Sequence, residues 1–91
     1  MVIKELEKII LDRQQKTSDP NSYTFKLLTE KFLVERKVNE ECFEVIEAAF
    51  QKEKSALINE SCDLIYHLMV LLRKYDISLD EIEDEFRRRK K

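Results

Sequence analysis

No glycine occurs anywhere in this 91-residue chain, and proline occurs once, at Pro20. Glycine normally supplies about 7% of residues, so roughly six would be expected. Its absence removes the residue that takes φ > 0 without penalty and lets a main chain approach phosphate closely. The Gly-rich dinucleotide fingerprint and the P-loop are excluded on that ground. The primed two-residue turns that a hairpin-rich β fold depends on are lost as well. What the chain can build is helices, joined by loops without αL glycines.

The fold expected is all-α, with four to five helices. Over residues 2–15, Val2, Ile3, Leu6, Ile9, Ile10 and Leu11 recur at helical spacing. Residues 16–22 (KTSDPNS) form the one cluster of turn formers and read as a loop. Ser22 is placed to cap a short helix over 23–32, with Phe25, Leu28 and Phe32 on one side. The next helix starts near Val34 or at Glu40, with Asn39 as its N-cap, and ends at Gln51. One continuous helix over 23–51 is the competing reading. After a polar connection at 52–55, a long helix covers about 56–74. Ser78 and Glu81 form a capping box for a last helix over 79–89, whose Arg/Lys-rich end suits a helix C-terminus. The length suits a single domain, 1–91, with a thin margin of buried surface that a partner subunit would widen.

Charge and cysteine usage narrow the class. Seventeen Lys/Arg against nineteen Asp/Glu leave a net charge of −2, which is no electrostatic footprint for nucleic acid. No uninterrupted apolar run approaches the roughly 18 residues of a membrane span, so no membrane partner is expected. Charges at Lys4, Glu5, Glu7 and Lys8 are unlike a signal peptide, and a cytoplasmic location follows as the expectation. Two isolated cysteines and one histidine make no zinc signature; Cys42 and Cys62 are expected as buried free thiols.

The chemistry lies in the acids. On a wheel of 100° per residue, Val38, Cys42, Val45, Ile46 and Ala49 share one side of the segment 38–50. Glu40, Glu44 and Glu47 form a stripe opposite, with Glu41 beside it. Taken alone this is an ordinary amphipathic helix with a wet acidic face. The long helix is different: Leu57, Leu64, Ile65, Leu68, Leu71 and Leu72 cover one face, and Ile58, Cys62, Tyr66, Met69 and Val70 most of the rest. A helix apolar nearly all round is expected to be buried. Yet Glu60, Asp63 and His67 share one narrow strip of it, and no cation lies between Lys54 and Arg73. Ionised carboxylates on a buried helix are costly unless paired or bound to metal.

Two helices thus each present acids at i, i+3: Glu41 with Glu44, and Glu60 with Asp63. Packed antiparallel, they bring four carboxylates together, which cannot all stay ionised without a counter-ion. A hard divalent cation, Mg²⁺ above all, suits an all-oxygen donor set, and its open positions take phosphate oxygens. A carboxylate-bridged di-iron site would need two E-x-x-H motifs, and the chain has one histidine. Lys26, Arg36 and Lys37 are candidate phosphate contacts, with a solvated surface cation as the plain alternative. Tyr23 is a candidate to stack on a base, with packing as the plainer role. His67 reads as a hydrogen-bonded core histidine.

The run Glu40-Glu41-Cys42-Phe43-Glu44 and then Glu60-Ser61-Cys62-Asp63 resembles the E-E-x-x-E … E-x-x-D pattern of the all-α, MazG-like nucleoside triphosphate pyrophosphohydrolases. Within them the chain looks most like the phosphoribosyl-ATP pyrophosphohydrolases. The strings Ser22-Tyr23-Thr24-Phe25-Lys26-Leu27-Leu28, Lys37-Val38-Asn39-Glu40-Glu41 and Asp63-Leu64-Ile65-Tyr66-His67-Leu68-Met69-Val70-Leu71-Leu72 carry that closer likeness. It departs from the family at Asn39 and near Lys31, where glycine is usual. The resemblance implies Mg²⁺-dependent hydrolysis of phosphoribosyl-ATP to phosphoribosyl-AMP and pyrophosphate, a step of histidine biosynthesis. It also implies a homodimer, or a dimer of such dimers, whose helices complete the bundle around the site. Glu41, Glu44, Glu60 and Asp63 would hold the metal. Glu40 would orient the attacking water or bind a second ion, so that Glu40, Glu41 and Glu44 are the catalytic candidates. Two alternatives stand beside this: a MazG-type enzyme splitting canonical or modified (d)NTPs, and a non-catalytic helical interaction module.

Overall fold

The computed structural model describes residues 2–15 and 22–90; most of the expected 16–22 loop, Pro20 included, lies outside them. Five helices and no strand occur among the described residues: α1 (Val2–Gln15), α2 (Tyr23–Thr29), α3 (Leu33–Gln51), α4 (Lys54–Lys74) and α5 (Leu79–Arg89). Ser22 caps α2, accepting the Phe25 N–H at 3.4 Å. Ser78 caps α5 through the expected capping box, closed by Glu81 in both directions.

The segment 23–51 is not continuous. α2 stops at Thr29, and Phe32 takes φ 63°, ψ 7° before α3 begins at Leu33. Asn39 therefore lies inside α3 and caps nothing. Phe32 falls outside α2 and is exposed, so the inner side of α2 is Thr24, Leu27 and Leu28. α4 begins at Lys54, two residues before the expected start, leaving only Lys52 and Glu53 between α3 and α4. Without glycine the chain still makes left-handed corners, at Phe32, Lys52 and Asp76. A side chain with a Cβ costs about 1–2 kcal/mol there. At Asp76 the corner is a Schellman closure: the Ile77 N–H reaches the Leu72 carbonyl at 2.9 Å and the Asp76 N–H reaches Arg73 at 3.1 Å. The Arg73 guanidinium then pairs with the Asp76 carboxylate at 2.5 Å.

The two-residue connection makes α3 and α4 an antiparallel pair. Ile10, Leu27, Leu28, Val34, Met69 and Val70 form the core, where α1 and α2 pack on one end of this pair. The same end is tied by Lys74 to Glu35 at 3.0 Å and by the Tyr75 hydroxyl to Glu35 at 2.6 Å. α1 holds α5 in turn, since Glu7 accepts the Leu79 N–H at 2.6 Å and Lys4 pairs with Asp80.

The outer face of the pair has no such cover among the described residues. Phe43, Ile46 and Phe50 on α3 and Ile58, Ile65 and Leu68 on α4 are exposed, Phe50 to 82%. Cys42 and Cys62 are exposed free thiols on the same helices, not buried as expected. Nor is α4 buried all round: it buries the side that meets α1, α2 and α3, and among the described residues no element covers the rest. The radius of gyration, 14.5 Å, exceeds the roughly 12 Å of a compact chain this long, and the thinnest dimension, 24 Å, is about two helices deep. By length and a mean hydropathy of 1.2, α4 reaches the range of a membrane-spanning helix. One such helix is weak evidence of a span; within one chain this one buries His67, Met69 and Val70 and leaves most of the stretch less than fully buried.

Candidate metal centre

The helix pair brings its acids together midway along its length. Val34, Val38, Glu41, Val45 and Ala48 recur every three to four residues and form the inner stripe of α3. Glu41 is thus a buried carboxylate on the core line, not a member of the wet strip that its wheel position beside Glu40 and Glu44 suggested. From α4, Glu60 and Asp63 approach it. One carboxylate oxygen of each of Glu41, Glu60 and Asp63 lies within 4.8 Å of the other two. Glu44 is near enough to both Glu41 and Glu60 to raise their pKa values. Of the four acids expected to converge, Glu41, Glu60 and Asp63 meet, and Glu44 lies beside them.

No lysine or arginine forms an ion pair with these four among the described residues. The Oε2 atoms of Glu41 and Glu60 are buried and have no hydrogen-bond partner. Leaving a buried acceptor unpaired is costly, more so when it is charged. The titration behaviour reflects this. Burial, followed by the neighbouring Glu44, pushes Glu41 above the ordinary carboxylate range. Glu44, followed by burial, does the same to Glu60. A hard divalent cation removes the repulsion and gives the orphaned oxygens a partner, so the donor set fits one.

The remaining candidates lie around this cluster. Glu40 stays outside, exposed and 3.4 Å from Lys37 on the same helix. Lys26 and Arg36 are exposed on α2 and α3 and make no ion pair among the described residues. Tyr23 is 48% exposed, and its hydroxyl is 2.7 Å from His67 Nε2. Burial, with Glu41 and Glu40 nearby, raises its pKa, against the opposing charge of Lys37. His67 is buried and hydrogen-bonded, as expected, with Nδ1 2.7 Å from the Asp63 carbonyl. The Tyr23–His67 link escaped the sequence reading; its only trace was that both residues sit in the strings quoted for the resemblance.

Fold and site together define an all-α protein with a cluster of carboxylates, of a kind that could hold a metal ion, on an antiparallel helix pair. The family profile described as phosphoribosyl-ATP pyrophosphohydrolase matches residues 3–90. The chain is 45% identical to the phosphoribosyl-ATP pyrophosphatase of Metallosphaera sedula, over 99% of this chain and 97% of that one. It is 44% identical to the phosphoribosyl-ATP pyrophosphatase of Clostridium novyi, over 99% and 82%. It is also 44% identical to the histidine biosynthesis bifunctional protein HisIE of Pyrococcus furiosus, over 99% of this chain and 42% of that longer one. The chain belongs to the phosphoribosyl-ATP pyrophosphohydrolase family.

Proposed function

We propose that the chain hydrolyses phosphoribosyl-ATP to phosphoribosyl-AMP and pyrophosphate, as a step of histidine biosynthesis. The family match over residues 3–90 supports the substrate. The observation that carries the chemistry is the pair of orphaned, buried oxygens on Glu41 and Glu60 beside Asp63. In this reading Glu41, Glu44, Glu60 and Asp63 hold Mg²⁺, which when bound neutralises charge on the phosphate chain and the departing pyrophosphate. Glu40, one turn before Glu44 on the same face of α3, orients the attacking water. Lys26, Arg36 and Lys37 steer the phosphates by charge, and Tyr23 meets the nucleoside. The chain acts as one domain, in the cytoplasm, without nucleic-acid or membrane partners.

The reading includes a homodimer. The exposed stripe of Phe43, Ile46 and Phe50 with Ile58, Ile65 and Leu68 supports a second copy laid against the α3–α4 pair. The flat shape of one chain supports it too.

The test is pyrophosphate release with Mg²⁺ from phosphoribosyl-ATP and from a panel of dNTPs. Release from phosphoribosyl-ATP is expected. Turnover of dNTPs alone would move the assignment to the MazG-type alternative. No release from a folded protein would leave the non-catalytic module.

A further inference from the structure

Among the polar groups outside the four acids, one connected set stands apart. His67 is buried, yet both of its ring nitrogens are engaged. A carbonyl can only accept, so Nδ1 donates its proton to Asp63 O, and in the neutral ring Nε2 accepts from the Tyr23 hydroxyl. The imidazole is also flanked edge-on by two tyrosine rings, Tyr23 at 5.8 Å and Tyr66 at 5.6 Å, each at 84°. Tyr66 in turn hydrogen-bonds Thr24, the residue after Tyr23. The first turn of α2 is therefore fastened twice to α4, once through His67 on the strip that carries Glu60 and Asp63 and once through Tyr66 beside it.

This arrangement does something that simple packing would not require. The Tyr23 hydroxyl is held inward while the residue remains 48% exposed, so the ring is fixed at its tip and leaves surface to solvent. An exposed aromatic free to rotate presents no defined surface; a pinned one does, at little further entropic cost when a ligand arrives. Lys26 follows Tyr23 at i+3 on α2, and Lys37 of α3 lies near enough to act electrostatically on the Tyr23 hydroxyl. An aromatic surface, cations and a carboxylate cluster are thus neighbours, matching the base, phosphate and metal needs of one nucleotide.

We propose that His67 is a positioning residue, which pins the Tyr23 ring beside the carboxylate cluster so that the ring forms the base-contacting wall of the nucleotide site. The proposal rests on the reading of the reaction given above. His67 does not touch the substrate; it acts through Tyr23, and Tyr23 acts on binding rather than on the step of bond cleavage.

The experiment measures kcat and KM for phosphoribosyl-ATP in the wild type, Tyr23→Ala, Tyr23→Phe, His67→Phe and the Tyr23→Phe/His67→Phe double variant, with thermal unfolding of each. Stacking on an aromatic ring is sequence-tolerant and substantial, so Tyr23→Ala is expected to raise KM about tenfold with kcat within about twofold. Tyr23→Phe and His67→Phe each keep the ring but release it, and each raises KM by a smaller factor. The double variant is no worse than either single one, because both remove the same link. A residue that merely supports the fold would lower the unfolding temperature without this split between KM and kcat. An unchanged KM in Tyr23→Ala, or Tyr23→Phe and His67→Phe effects on KM that multiply in full, overturns the proposal. The two failures are distinct: a folded wild type that releases no pyrophosphate from phosphoribosyl-ATP sinks the reaction and this proposal together, whereas normal wild-type turnover with an unchanged Tyr23→Ala KM sinks the proposal alone.

Discussion

Helix α3 carries two glutamates six residues apart, Glu35 half-buried and Glu41 buried, that live in opposite circumstances. Glu35 is met by the Tyr75 hydroxyl and the Lys74 ammonium, and these hold its carboxyl below the usual range. Glu41 is met by Glu44, Glu60 and Asp63, and its carboxyl is pushed up by burial first and by Glu44 next. Glu35 belongs to the end of the helix pair that α1 and α2 cover, where it is paired with Lys74 and Tyr75 beside the apolar core. Glu41 begins the end that one chain leaves open, where acids stand without cations and Phe43, Ile46 and Phe50 face outward. One end is built for stability. The other spends stability on a site and a surface, the pattern expected where function overrides local energetics.

The comparison breaks most visibly in activity. Glu44→Gln or Asp63→Asn is expected to cut pyrophosphate release by at least about a hundredfold, since even groups that only support a metal ligand cost 10–100-fold when lost. Circular dichroism should show the helices intact. An equal loss from Glu35→Gln would erase the distinction between the two ends.

The open surface comes next. Ile46→Glu with Ile65→Glu places charge on the exposed stripe and is expected to turn a dimer into a monomer of about 11 kDa in sedimentation. A wild type already monomeric at micromolar concentration would contradict that part of the reading.

The pH responses of the two ends should have opposite signs. A carboxyl with a depressed folded pKa contributes stability above its unfolded value and loses it as pH falls through the folded one. Glu35 is of that kind, so Glu35→Gln should destabilise at neutral pH, by up to about 1 kcal/mol for a partly exposed pair, with the difference fading in acid. Glu41 and Glu60 are of the other kind. In the metal-free protein their cost grows as pH rises from the unfolded carboxylate value through the raised folded one. Metal affinity should rise over the same interval, because the ligands must shed protons to bind. Urea unfolding curves between pH 3.5 and 7 check both signs.

The smallest effect concerns a corner. Lys52 holds φ 57° with an exposed side chain, so Lys52→Gly should stabilise by about 1 kcal/mol, read as a rise in unfolding temperature.

Much of this was legible in the residues. The periodicity of Val2–Gln15, the Ser22 cap and the Ser78–Glu81 box gave three helix boundaries as they stand. The acid cluster was legible from two i, i+3 pairs on adjacent helices, of which Glu41, Glu60 and Asp63 meet. What escaped were features that depend on neighbours. Of the two starts read for α3, the one near Val34 holds, at Leu33; Asn39 looked like a cap because Asn favours caps, but the corner falls on Phe32, a residue that disfavours it. The wheel placed Glu41 with its acidic neighbours, because a wheel centred on hydrophobicity cannot assign a buried charge to the core line. Cys42 and Cys62 were expected inside because apolar helices usually are, but none of the described elements covers them.

The central claim is that the acid cluster is unstable by itself and complete with a divalent cation. Thermal unfolding of the wild type and of Glu60→Gln, each with EDTA and with Mg²⁺, tests it most directly. Without metal, Glu60→Gln should unfold at the higher temperature, because it removes a charge from an uncompensated set. Mg²⁺ should raise the wild-type midpoint in proportion to site occupancy and leave the variant nearly unmoved. A variant less stable than the wild type in EDTA, with an Mg²⁺ response equal to the wild type's, would contradict the claim.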